Sequence, residues 1–353
     1  MHRTPVYRLY LGPALTSVEI SATFHDEFRL DLLRSDLVSL CPQIQHLSVY
    51  FLHHNSSIPR VDALVSTFIC SLRNLHSITS PVIRVPQSVL APLATQPSLT
   101  TLRTIYVPSS DVRAFTAARF SSLKRFHLRT DDWCSATTIL SSMDCTFTAL
   151  SVECLDNSEP LPAIRSLLAT LRPSFETLTT ISLESRKATI DSFDAGIEAL
   201  NTIRPLLSCN RLRVVILHLA FLEALDDSWL LETAGAWPLL ESLSLLHLGV
   251  DGVPRPGKPK MTLKGLVSLI RDFPRLQTIN LSLRLHEADI SLLDGVPTGH
   301  IRRLRVSHPP VQGGTSEKLW ATLPNTFPEL RLLRAGHLIL LSPRTGRVIR
   351  RIA

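Results

Sequence analysis

The sequence has few charged residues, few aromatics and no long apolar run. Charged side chains make up 19% of the 353 residues and aromatic side chains 6%, whereas hydrophobic residues reach 44%. The charged fraction lies below the roughly 25% of an average soluble domain. This composition supplies ample core material and excludes wholesale disorder. No apolar stretch approaches the roughly 18 to 20 residues of a membrane span, so we expect no membrane partner.

A secretory signal is also missing. The first twenty residues contain no continuous apolar segment of roughly 7 to 15 residues, which such a signal needs. We therefore expect an intracellular protein, in the cytoplasm or the nucleus.

Motifs of metal, redox and hydrolytic chemistry are absent. The six cysteines form no C-x-x-C pair, so they predict neither a zinc ribbon nor a redox centre, and we expect buried free thiols. The thirteen histidines include no H-E-x-x-H pattern, and no G-x-S-x-G nucleophile turn occurs. We expect no cofactor and no metal, and the sequence does not favour an enzyme.

One segment imitates a phosphate-binding loop. Gly252 to Lys258 has the G-x-x-x-x-G-K spacing, but Pro254 and Pro256 have no backbone N–H to offer a phosphate. Pro259 also occupies the position of the magnesium-binding hydroxyl. We interpret the segment as a connecting loop, and a nucleotide binder built on Lys258 stays the weaker alternative.

A short pattern, apolar-x-x-apolar-x-apolar, recurs along the whole chain. Its copies begin at Leu15, Ile44, Leu75, Leu99, Leu123, Phe147, Leu178, Leu212, Leu240, Leu276, Ile301 and Leu330, in steps of 24 to 36 residues. The last two apolar positions are two residues apart, which is the strand period. Each copy therefore predicts one short strand whose apolar side chains point inward.

The segments between the copies have helical apolar spacing, as in the run from Leu263 to Ile270. Thr262 and the pair Asp226-Asp227 stand where helices should begin, and prolines such as Pro238 and Pro274 stand where they should end. The pattern predicts a helix after each strand.

A strand and a helix every 24 to 36 residues is typical of a leucine-rich repeat. We predict an α/β solenoid, an arc or horseshoe with a parallel sheet on the concave face and helices on the convex face. Residues 1–10 would be a lead-in, 11–340 about twelve irregular repeats, and 341–353 a basic tail. A doubly wound α/β enzyme is the alternative, but it would have longer, fully apolar strands.

A solenoid offers its outward strand positions to a partner protein. In the present chain, these positions contain two basic groups, Arg103 with Arg125, His127 and Arg129, and Arg303 with Arg305. Guanidinium groups can bind carboxylates or phosphates, so we predict a protein ligand on the concave face; ordinary solvated surface is the alternative. The net charge of +7 is spread over the chain, so nucleic acid is not the expected partner.

The stretch from Asp226 to Leu245, with Asp226-Asp227-Ser-Trp229, Ala236-Trp237-Pro238 and Leu240-Glu-Ser-Leu243-Ser-Leu245, resembles the repeat region of fungal F-box proteins. The resemblance implies a non-catalytic substrate-recognition subunit of a cullin-RING ubiquitin ligase. An F-box would need roughly 40 to 50 residues ahead of the repeats, whereas the first copy begins at Leu15. We therefore expect a Skp-type adaptor as partner only if an F-box lies upstream. A scaffold or regulator without a ubiquitin role is the alternative.

Overall fold

The computed structural model describes residues 11–22, 35–51, 69–80, 87–155, 160–185, 196–246, 259–284, 287–293, 296, 300–307, 332–335, 338–341 and 348–349. The chain divides into two compact units, Met1–Val152 and Glu153–Ala353. The predicted lead-in 1–10, the loop Gly252 to Lys258 and the arginines of the predicted basic tail lie outside the described residues.

Each predicted copy contains one strand. The strands of the first unit are β1 (Ser17–Ala22), β2 (His46–Phe51), β3 (Ser77–Thr79), β4 (Thr101–Val107) and β5 (Arg125–Thr130), and β6 (Ala149–Cys154) lies at the unit boundary. Strands β1 to β5 pair in chain order, all parallel. The prediction of one strand per copy is confirmed here.

The second unit also has parallel strands, but its last two strands are antiparallel. Its strands are β7 (Thr180–Ser185), β8 (Val214–His218), β9 (Ser242–Leu245), β10 (Thr278–Ser282), β11 (Arg303–Ser307), β12 (Leu332–Ala335), β13 (Leu338–Leu341) and β14 (Val348–Ile349). Strands β7 to β12 pair in parallel, whereas β13 and β14 are antiparallel to their predecessors. The predicted tail thus begins at the last residue of β13.

Helices connect the strands and make the fold α/β. The helices described from end to end are α1 (Gln87–Ala94), α2 (Val112–Thr116), α3 (Trp133–Ser141), α4 (Pro160–Thr170), α5 (Gly196–Ile203), α6 (Asp227–Ala236) and α7 (Leu263–Asp272). Residues 35–40 and 69–71 are helical as well. Short 3-10 helices cover Ser109–Asp111, Arg172–Ser174, Arg204–Ser208, Ala220–Ala224 and Glu287–Leu293. Among the described residues, no helix has the length and apolar character needed to cross a membrane.

One predicted helix is wrong. In the described part of the connection between β10 and β11, the chain forms the 3-10 helix Glu287–Leu293 instead of an α-helix. This copy is 25 residues long and contains Gly295 and Pro297 shortly before the next strand. Because both residue types disfavour an α-helix, this short connection has few residues that could extend one.

A repeated hydrogen bond aligns the copies. The carbonyl of Thr16, just before β1, accepts N–H bonds from both Gln45 and His46 at 2.8 and 3.0 Å. Equivalent carbonyls accept two N–H bonds from the following copy at Gln45, His76, Thr100, Lys124, Thr179, Arg213, Glu241 and Gln277. Because the carbonyl at the same position of each of these copies accepts this pair of bonds, neighbouring strands pair in the same register. Their apolar side chains therefore share one face.

That shared face forms the core. The inward residues Leu243, Ile279 and Leu304 are at most 1% exposed and lie opposite one another on β9, β10 and β11. In the first unit, the ring of Phe126 on β5 stacks against Phe115 of α2, with ring centroids 6.0 Å apart. The predicted inward direction of the apolar positions is confirmed at these residues.

Helices begin and end where the sequence predicts. Asp226 accepts N–H bonds from Ser228 and Trp229 and caps α6, and the Thr262 hydroxyl caps α7. The hydroxyl of Ser228 donates to Asp226 and, with these N–H bonds, lowers the pKa of that carboxyl. Helices α6 and α7 end at Ala236 and Asp272, directly before Trp237-Pro238 and Phe273-Pro274.

The stretch from Asp226 to Leu245 connects three consecutive copies. The Asp227 carboxylate accepts the N–H and the hydroxyl of Thr262, at 2.8 and 2.6 Å, at the start of α7. In the other direction, the Trp237 indole N–H donates to the Leu206 carbonyl at 2.9 Å. Trp229 packs edge-on against Trp237 inside the unit. These residues therefore hold neighbouring copies together.

Candidate interaction surface

The exposed face of β5 has a cationic row. Phe126 and Leu128 point into the core, whereas Arg125 is exposed and His127 and Arg129 are half-buried. This alternation follows from the strand period and places three basic side chains side by side on the face away from the core. The three basic residues that the sequence selected on this strand therefore lie on one face.

A bulge in β4 brings further side chains to that face. Leu102 pairs with Phe126 and Ile105 with Leu128, so β4 has two residues, Arg103 and Thr104, opposite His127 alone. The exposed Arg103 therefore lies beside the row on β5. The structure brings together the first predicted group, Arg103, Arg125, His127 and Arg129, which we call the basic patch.

The bulge also sets the position of Tyr106, which the sequence pattern did not select. One extra residue shifts the alternation, so Tyr106 pairs with Arg129 and is half-buried rather than packed in the core. Its hydroxyl donates to the Asp131 carboxylate at 2.6 Å. An aromatic ring thus lies at the edge of the basic patch, where a strict period of two would have placed it inside.

Two carboxylates stand at the carboxyl end of β5. The Ser109 N–H donates to Asp131, and the single Ser109 hydroxyl proton is shared between Asp132, 2.7 Å from the hydroxyl oxygen, and Asp131, 3.1 Å from it. Burial raises the pKa of Asp132, but hydrogen bonds from the Ser135 N–H and from the Ser109 and Ser135 hydroxyls outweigh it, so the pKa is lowered. The patch therefore has an anionic border at this end.

The second predicted group lies in the other unit. Arg303 is exposed and Arg305 half-buried on β11, opposite Thr278 and Asn280 of β10. Their neighbour Leu304 points into the core, so both arginines are on the exposed face. The structure brings this pair together as predicted.

The serines in the middle of the outward column are not exposed. Ser182 on β7 and Ser244 on β9 are only 5% and 4% exposed, although they lie on the face away from the core. Both ring nitrogens of His218 on β8 are within hydrogen-bond distance of a polar side chain. Nδ1 lies 3.2 Å from a Glu184 oxygen, and Nε2 lies 2.9 Å from the Ser244 hydroxyl oxygen. The Ser182 hydroxyl donates to Glu184 of its own strand, so each of these serines is hydrogen-bonded to a polar side chain on the same face.

Glu184 and His218 give no signal in the repeated pattern, because each lies one residue beyond its last apolar position. Both stand two residues after the outward position inside the pattern, which is Ser182 on β7 and Ile216 on β8. Extending the period of two by one step in every strand would have found them.

Among the described residues, neither the cysteines nor a group of metal ligands forms a further site. Burial raises the pKa of Cys209 to about 12, and burial together with the Asp144 charge raises that of Cys145 to about 12. Three of the six thiols are buried as predicted, but Cys134 is exposed because it lies on the outer side of α3. Within the described residues, no three His, Cys, Asp or Glu side chains are grouped so as to hold a metal ion.

Comparison with known proteins adds no relative. No protein-family model matches the chain, and no curated protein matches it at a significant level. The functional conclusion therefore depends on the chemistry of the surfaces themselves.

Proposed function

We propose that this protein is a leucine-rich-repeat module that binds an acidic segment of a partner protein at the basic patch. A parallel strand in every copy, with helices in the connections, supports the repeat class. Strands lie about 4.8 Å apart and helix axes about 8 to 10 Å, so a stack of this kind curves with its sheet on the concave side. The exposed face of β4 and β5 is then the inner wall of the arc.

The observation that carries the proposal is the basic patch itself. Four side chains on two adjacent strands share one face, and two of them, Arg103 and Arg125, are exposed. Fork-shaped guanidinium groups bind carboxylates through paired hydrogen bonds. An extended peptide with glutamate or aspartate side chains can reach several of them at once.

The strength of such binding follows from the exposure of the arginines. Exposed ion pairs contribute about 0.2 to 1 kcal/mol each and weaken as salt rises. Two to four of them give modest affinity that depends on ionic strength. The half-buried Arg129 and His127 and the ring of Tyr106 add contact area beside the charges.

Reversing the charge of the patch is expected to weaken this binding strongly. We expect Arg103→Glu with Arg125→Glu to weaken the binding of a fluorescein-labelled peptide of alternating glutamate and serine by about tenfold or more. The measurement is fluorescence anisotropy at low and at physiological salt, with a peptide of alternating glutamine and serine as the uncharged probe.

The matched control is Arg113→Glu with Arg172→Glu. Both arginines are exposed, both lie in helical segments instead of strands, and the change in net charge is the same. We expect this variant to bind the peptide nearly as the unmodified chain does. An equal loss in both variants would mean that net charge alone attracts the peptide, and the patch would lose its role.

The biological setting that we propose is substrate recognition in a cullin-RING ubiquitin ligase. The support is the resemblance of Asp226 to Leu245 to F-box repeat regions, together with the roles of Asp227 and Trp237 in holding consecutive copies together. An adaptor-independent scaffold that uses the same face is the second candidate.

These two settings differ in one measurable association. We expect the endogenous protein, tagged at its carboxyl terminus, to co-purify with a Skp-type adaptor. The adaptor is identified by mass spectrometry of the purified sample. A sample without the adaptor would favour the scaffold.

A further inference from the structure

Three strands of the second unit align a serine, a histidine and a carboxylate on their exposed face. The Ser244 hydroxyl lies 2.9 Å from His218 Nε2, and His218 Nδ1 lies 3.2 Å from Glu184 Oε2. The Ser182 hydroxyl donates to the other Glu184 oxygen at 2.8 Å. The order of atoms is that of a serine nucleophile with its general base and the group that orients the base.

The carboxylate decides which ring nitrogen has the proton. An ionised Glu184 accepts hydrogen bonds only, so the neutral imidazole places its proton on Nδ1. Nε2 then has a lone pair directed at Ser244, and the serine hydroxyl donates to it. Ser182 holds the carboxylate in place from its other oxygen. This tautomer is the one that can take the serine proton.

A donor for a developing oxyanion stands on the next strand. Asn280 of β10 is directly opposite Ser244 in the register, and its neighbours Ile279 and Leu281 are buried, so its side chain is on the same face as Ser244. The backbone N–H of Ser244 is used in the sheet ladder, because β9 lies between β8 and β10. The side-chain amide of Asn280 is therefore the group suited to hydrogen-bond an oxyanion.

The geometry points to Ser244 as a nucleophile that is acylated by esters with good leaving groups. Its Oγ forms a bond to the ester carbonyl carbon while its proton passes to His218 Nε2. The tetrahedral oxyanion, next to Asn280, then collapses, the bond from carbon to the leaving aryl oxygen breaks, and His218 returns the proton to that oxygen. The products are an acyl ester on Ser244 and a free phenol. This chemistry goes beyond the proposed binding of an acidic segment and does not depend on it.

The purified full chain with p-nitrophenyl acetate tests the inference. We expect a burst of about one equivalent of nitrophenol per chain, with the acetyl group mapped to Ser244 by tandem mass spectrometry after acid quench. The burst rate should fall at least about 100-fold in His218→Ala and about tenfold or more in Glu184→Gln and in Asn280→Ala.

An internal control avoids dependence on the folding of the variants. Ser151 occupies the equivalent outward position of β6, and the counterpart of His218 on the preceding strand β5 is Arg129, which is not a general base at neutral pH. In the unmodified chain, acetylation of Ser244 but not Ser151 supports the inference. Acetyl groups on lysines or cysteines without acetylation of Ser244, or equal labelling of both serines, would overturn it and leave the three side chains as a packing network.

Discussion

Replacing Ile279 with aspartate is expected to unfold the second unit under conditions in which the unmodified chain is folded. Ile279 is 0% exposed and lies between Leu243 and Leu304 of the neighbouring strands, which are equally buried. A carboxylate there would lose its water without gaining a partner, and such burial costs at least ~4 kcal/mol. That is a large part of the 5 to 15 kcal/mol, roughly, that stabilises a typical domain.

The matched variant is Asn280→Asp, one residue along the same strand. Asn280 is half-buried on the exposed face, so its carboxylate keeps contact with water and the change should stay within about 0.5 kcal/mol. Urea unfolding followed by circular dichroism compares the two. Ser244→Asp is not a suitable control, because Ser244 is 4% exposed. Similar midpoints for Ile279→Asp and Asn280→Asp would contradict the assignment of inward and outward positions on β10.

Gly265→Ala is expected to destabilise the protein although alanine is the better helix former. A Cβ at position 265 would lie 2.6 Å from the Asp227 Cγ, far inside van der Waals contact. Asp227 cannot simply turn away, because it accepts two hydrogen bonds from Thr262. Overpacking costs about 1 to 3 kcal/mol, whereas the change from glycine to alanine in a helix gains about 1 kcal/mol. With the loss of the Thr262 hydrogen bonds, we expect a net loss of about 2 kcal/mol.

A double-mutant cycle isolates this contact. In an Asp227→Ala background, which removes the obstacle, Gly265→Ala should be neutral or stabilise the protein by up to about 1 kcal/mol. The coupling between the two positions is then about 2 to 3 kcal/mol, read from urea unfolding of the four proteins. Equal effects of Gly265→Ala in both backgrounds would show that Asp227 is not what the new methyl group meets.

The repetition made much of the fold predictable from the sequence. Strand positions followed from apolar residues two apart, and the caps Asp226 and Thr262 and the proline stops followed from local chemistry at helix ends. The 3-10 helix Glu287–Leu293 and the antiparallel strands β13 and β14 did not follow, because no pattern of apolar residues distinguishes them. The requirement for glycine at position 265 could not be predicted either, because the side chain that leaves no space for a Cβ is Asp227, 38 positions earlier.

The surfaces were predictable only where the period of two continues without interruption. Arg125, His127 and Arg129 were predicted from this alternation, whereas Tyr106 was not, because a single extra residue in β4 reverses inside and outside. The contacts of His218 with Glu184 and Ser244 join side chains of different strands. The spacing of residues along one strand does not predict such contacts.

The reversal of direction at β13 and β14 has a consequence for association between molecules. A parallel sheet presents at its edge a row of N–H and C=O groups that a second chain can extend into a larger sheet. In the described sheet of the second unit, β12 is covered by β13, and the outermost strand β14 has only two residues. An edge this short offers little template for strand addition, so the reversal protects this side of the unit against edge-to-edge aggregation.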